Sequence, residues 1–114
     1  MRYVAESRDG YVLITLQESG LDEQISHELK MLSVNLSREG TKSMVFNLER
    51  CTQCDDSGLG ALLIANRLCW KAGGKCILTS VQEEVLQRIR AYRLEAALTV
   101  VQEIAEADKI LQTT

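Results

Sequence analysis

Proline is absent from the 114 residues, histidine occurs once and aromatic side chains make up only 4% of the chain. A proline-rich linker is therefore excluded, and no repeat or low-complexity stretch marks a boundary. The opening residues, Met1-Arg-Tyr-Val-Ala-Glu-Ser-Arg-Asp-Gly10, lack the uninterrupted apolar core of roughly 7–15 residues that defines a signal peptide. No later run approaches the roughly 20 apolar residues of a membrane span. A cytoplasmic protein is expected. Positive charge is also short: 13 Lys and Arg stand against 16 Asp and Glu, for a formal net charge of −3. Such a chain has no field for the counterion release that dominates nucleic-acid affinity, so DNA, RNA and anionic membranes are poor partners.

With 46% hydrophobic and 25% charged residues, the chain has the composition of an ordinary globular protein. Its length suits one domain, 1–114, folding alone or as a small oligomer such as a homodimer. The β-branched run Tyr11–Gln17 follows an Asp9-Gly10 turn signal and predicts a hairpin with Tyr3–Glu6. Asp22 then caps a helix in which Ile25, Leu29, Leu32 and Leu36 recur at helical spacing until Gly40. Met44–Leu48 reads as a strand, Ser57–Ala72 as a helix stopped by Gly73-Gly74, and Cys76–Thr79 as a strand. Gln82–Tyr92 is a helix with Val85, Leu86 and Ile89 inward. Leu98–Val101 is a short edge strand, and Gln102–Leu111 a last helix with Ile104 and Leu111 inward. This alternation predicts an α/β fold: a mixed sheet of four or five strands, parallel apart from the hairpin, with about four helices packed mainly on one face.

The informative segment is Asp55-Asp56-Ser57-Gly58-Leu59-Gly60, between a strand end and the helix continuing Ala61-Leu62-Leu63. Asp55, Asp56 and Ser57 suit a helix start, where short oxygen-bearing side chains satisfy free N–H groups and negative charge meets the positive end of the dipole. Capping does not explain Gly58 and Gly60, each of which costs up to about 1 kcal/mol in helix propensity. Two glycines so close imply that something approaches the backbone. Helix starts bind anions, but the Gly-Lys-Ser/Thr of a phosphate-binding loop and the three-glycine dinucleotide pattern are missing, which disfavours a nucleotide enzyme.

The stretch from Phe46 to Gly60, followed by Ala61-Leu62-Leu63, resembles the central signature of STAS domains, specifically bacterial anti-sigma factor antagonists. Leu21-Asp22 and Gly73-Gly74-Lys75 fall where that family places similar elements, and the resemblance spans about Tyr11–Leu111. It implies a non-enzymatic, cofactor-free binding module in signal transduction and transcription regulation. Such a module captures an anti-sigma factor or GHKL-type serine kinase, and phosphorylation, reversed by a phosphatase, switches the capture off. The family's pattern is Asp-Ser/Thr-Ser-Gly-Leu-Gly, with the phosphorylated hydroxyl directly after the first Asp. Here that position is Asp56, which no serine kinase can modify and which carries one charge where phosphoserine carries about −1.5 to −2. Three outcomes are open: the switch is lost, the partner has adapted to the charge with an Arg or Lys opposite, or Ser57 accepts phosphate. The resemblance implies a partner-binding surface of Asp22, Asp55, Asp56, Ser57, Gly58, Leu59 and Gly60.

Other constellations are weaker. Cys51-Thr-Gln-Cys54 has thioredoxin-like spacing, but the helix begins after two aspartates, which would raise a thiol pKa, and the cis-proline of that family has no counterpart. All four cysteines are expected as packed thiols. A zinc site would need Cys69, Cys76 or His27 to complete the Cys51–Cys54 pair, and no second close pair exists. His27 reads as solvated, and no Ser-His-Asp set is apparent. Trp70 and Leu68 read as core, although their helix is apolar nearly all round and should be either the best-buried helix or one with a face in an interface. The alternatives from other classes are a small-ligand or nucleotide-binding sensor using the same helix start, and a scaffold subunit of a signalling assembly. Neighbouring genes for a kinase, phosphatase or sigma factor would separate the switch from these.

Overall fold

The computed structural model describes residues 2–112. In chain order the elements are β1 (Tyr3–Arg8), β2 (Tyr11–Leu16), β3 (Gly20–Leu21), α1 (Glu23–Arg38), β4 (Met44–Asn47), β5 (Gln53–Cys54), α2 (Asp56–Lys71), β6 (Cys76–Thr79), α3 (Glu83–Ala91), β7 (Thr99–Val101) and α4 (Ile104–Gln112). β1 and β2 form the expected hairpin, with Arg8 opposite Tyr11 across Asp9-Gly10. β2, β4, β6 and β7 then run parallel, giving a five-stranded mixed sheet in the order β1-β2-β4-β6-β7.

Strand periodicity sorts the core onto two faces. Val12, Ile14, Leu16, Met44, Phe46, Leu48, Cys76 and Leu78 point to the face covered by α1, α2 and α3, where they meet Ile25, Leu29, Leu62, Val85 and Ile89. Tyr11, Leu13, Val45 and Ile77 point the other way and pack on α4 through Ala107. Both faces of the middle strands are therefore buried, which explains why β4 and β6 each open with three consecutive apolar residues and show no in-out alternation. The α/β expectation, the five strands and the four helices, three on one face, are all present. Gly40 and Gly73 each follow a helix cap at positive φ, the left-handed turn that ends α1 and α2.

Three packing expectations need correction. Trp70 is not core but 81% exposed. On α2 the buried set Ala61, Leu62, Ala65 and Cys69 defines one face, and Trp70, one residue past Cys69, turns away from it with Ile64 and Arg67. Leu86 is only half-buried, because Val85 and Ile89 already fill the face of α3 that meets the sheet. Leu98 is buried but precedes the edge strand, which starts at Thr99.

Candidate functional site

β3 and β5 form a separate two-stranded parallel sheet, with Gly20 opposite Gln53 and Leu21 opposite Cys54. The residue after each strand caps a helix. Asp22 accepts a hydrogen bond from the Ile25 amide at the start of α1, 3.1 Å away. Asp55 accepts one from the Gly58 amide at the start of α2, 2.9 Å away. The register of two short strands thus sets two helix N-termini side by side, each closed by a carboxylate.

The first turns touch. Ser57 Oγ donates to Asp55 Oδ1 at 2.5 Å and lies 3.4 Å from Ser26 Oγ. The Ser57 hydroxyl and the Gly58 amide hold the Asp55 carboxyl below its usual range, so it is a firm anion. Asp56, next to it, is met from α3: Arg88 Nη1 donates to its Oδ1 at 3.0 Å and the Tyr92 hydroxyl to the same oxygen at 2.7 Å. The carboxylate in turn raises the Tyr92 phenol. Two clefts flank this group. One of about 420 Å³ is lined by Asp22, Gln53, Cys54, Asp55, Glu84 and Arg88. The other, of about 370 Å³, is lined by Glu23, Asp55, Asp56, Ser57, Arg88 and Tyr92.

The structure brings together Asp22, Asp55, Asp56 and Ser57, the first three exposed and Ser57 half-buried. It removes Leu59 from the partner-binding set, because Leu59 is 3% exposed within the core. It also corrects the reading of the glycines. A Cβ on Gly58 would stand 2.5 Å from the Leu21 carbonyl oxygen and 2.8 Å from Cys54 Sγ, so the close approach comes from the chain's own β3 and β5. Gly58 is itself buried. Gly60 meets nothing within 4 Å and needs no small residue for packing. Arg88 and Tyr92 were missed by the sequence reading, although their i, i+4 spacing puts them on one face of α3.

The four cysteines are buried thiols. Cys54 is pushed up to about 12, first by burial, then by Cys51 and Asp55. Burial also pushes Cys51 up. Neither is the lowered-pKa thiol of an active-site dithiol. Alkylation of Cys54 at pH 9 should therefore be at least about tenfold slower in the native chain than in urea, since only the thiolate reacts. Peptide mass spectrometry reads this, and equal rates would show that the thiol is not held back. Because the ordinary value is 9.0, the unfolded thiol ionises first. Its contribution to stability is full below pH 9 and declines as pH rises toward 12. Among the described residues no three His, Cys, Asp or Glu side chains converge as metal ligands. Among the same residues no helix is long and apolar enough to cross a membrane.

The STAS domain model matches residues 2–107. No curated protein matches the chain in sequence. Solved structures superpose over nearly the whole length. An anti-sigma-factor antagonist (STAS) domain protein from Planctomyces limnophilus gives a TM-score of 0.84 at 12% identity, covering 96% of this chain and 96% of that one. The Bacillus cell fate determinant SpoIIAA in its phosphorylated form gives 0.75 at 20% identity, covering 95% and 98%. A sulfate transporter family protein from Wolinella succinogenes gives 0.77 at 19% identity, covering 96% and 93%. At these identities the likeness establishes the fold.

Proposed function

The chain belongs to the STAS domain family, and from that membership we propose that it is an anti-sigma factor antagonist. It acts as a binding module, not an enzyme, that captures an anti-sigma factor or GHKL-type serine kinase and so regulates sigma-dependent transcription. The observation that supports this reading is the β3–β5 pairing, which sets the caps Asp22 and Asp55 side by side with Asp56 and Ser57 next to them; the resemblance makes Asp56 the counterpart of the family's phospho-acceptor. Charge gives the partner's character. Among the described residues Asp22, Glu23, Asp55, Asp56 and Glu84 line the two clefts against the single cation Arg88, which favours a surface bearing Lys or Arg.

The Asp56 charge has a counterion within its own chain. The side chains of Arg88 and Asp56 are 42% and 75% exposed, so their pair adds only about 0–1 kcal/mol to the fold. Its effect lies in the surface it presents. With Arg88 and Tyr92 on one carboxylate oxygen, the Asp56 charge is countered within the chain although the side chain stays exposed, and the helix start meets a partner much as an unphosphorylated one would. Capture then needs no phosphatase step.

A partner recovered from native cytosol by pull-down and titrated calorimetrically tests both parts. Arg88→Ala leaves the Asp56 charge to be desolvated in the complex without its counterion, so it should weaken capture about tenfold, or about 1.4 kcal/mol, although the flanking carboxylates suit a cationic partner, and Asp56→Ser added to it should restore most of the loss. Weaker capture by Asp56→Ser alone, without rescue in the double variant, would place the counter-cation on the partner. Phosphate transfer to the wild-type chain that vanishes in Ser57→Ala would move the acceptor to Ser57. Repeated capture of metabolic enzymes alone would end the antagonist reading.

A further inference from the structure

About 20 Å along α2 from Asp56, at the helix's other end, the surface changes sign and character. Ile64, Arg67 and Trp70 share the exposed face of α2, with Leu63 half-buried at its edge against the core. Together with Lys75, Ala97 and neighbouring residues they line a groove of about 760 Å³ where β6 and β7 begin. Trp70 is 81% exposed, the most of any large hydrophobic side chain among the described residues, and Ile64 beside it is 36% exposed. No carboxylate lines the groove, whereas Arg67 and Lys75 do, and among the described residues neither makes an ion pair.

We infer that this groove is a second docking surface, and that its occupant is an acidic amphipathic segment of a partner protein. The apolar floor takes such a segment's hydrophobic side chains, with Trp70 as the anchor, and the two cations take its carboxylates. A second copy related by two-fold symmetry would set Arg67 and Lys75 against their own like charges, which is costly. The chain thus has an acidic end that suits a cationic surface and a basic, apolar end that suits an acidic one. This inference does not depend on the antagonist reading, since it rests on different residues.

Trp70 is the only tryptophan, so the emission of the intact chain reports on the groove alone. The probe is a synthetic helix-forming peptide with Leu and Phe at i, i+3, i+4 and i+7 and Glu elsewhere; its control carries Lys for Glu. The Glu peptide should shift Trp70 emission to the blue in a saturable, salt-weakened titration, and the Lys peptide should bind at least about tenfold more weakly. The Arg67→Glu, Lys75→Glu double variant, verified as folded by circular dichroism, should invert that preference. Because both substitutions are at exposed positions, folding should survive. An absent shift, or an equal response to both peptides, overturns the inference. A blue shift that grows with chain concentration alone would assign the groove to a second copy. One produced by anionic vesicles and not by the Glu peptide would assign it to lipid, and either result also overturns it.

Discussion

Gly58→Ala is expected to lower the free energy of unfolding by about 1–3 kcal/mol, the usual cost of forcing an extra group into a packed interior. The same change at Gly60 should be neutral or add up to about 1 kcal/mol, because alanine is the better helix former. The two positions lie two residues apart in α2, so propensity alone would treat them alike. What separates them is the neighbour. A methyl group on Gly58 would meet the Leu21 carbonyl oxygen at 2.5 Å and Leu21 Cγ at 2.8 Å, and backbone must move to admit it. That movement spreads β3 from β5 and Asp22 from Asp55, so partner capture should fall with stability. Urea unfolding of both variants beside wild type decides this. If Gly58→Ala and Gly60→Ala unfold at the same urea concentration, the close approach does not constrain the chain.

Phe46→Ala should be more damaging still, with a loss of about 3–5 kcal/mol. Phe46 is fully buried in the middle of β4, between β2 and β6 and under the helices, where no solvent can fill the space it leaves. Its removal takes away both the transfer free energy of the ring and the contacts of the atoms around the cavity. A domain's whole stability is typically about 5–15 kcal/mol, so the variant should lose most of its margin. Its urea midpoint should drop steeply while the slope of the transition stays unchanged, since the same surface is exposed on unfolding. Capture measured well below the midpoint should survive, because Phe46 lies in the core and the partner-facing carboxylates are untouched. A loss under about 1 kcal/mol would mean that the core closes over the gap.

The fold was legible where local chemistry and burial agree. Periodicity placed the hairpin, the four helices and the buried strands, and the caps at Asp22 and Asp55 were legible because an N-cap is a local bond between a side chain and an amide three residues on. What could not be read was set by neighbours distant in sequence. β3 and β5 are two residues each, too short for any periodic signal. Gly58 is explained only when Leu21 is seen against it. The tie from Arg88 and Tyr92 to Asp56 joins residues 32 and 36 apart. Trp70 misled because its composition favours burial, while its angle on α2 decides for solvent.

The β3–β5 pairing also bears on how the chain comes off the ribosome. Ser19 and Thr52, which join just before the paired strands, are 33 residues apart, with all of α1 and β4 between them. The loop they close must be ordered before the two aspartate caps can stand together. A nascent or clipped chain ending before Gln53 therefore lacks half of the surface, however well α1 has formed. Recognition is thereby tied to the finished fold: a partner that reads both caps reads a quality check as well, and fragments cannot compete for it.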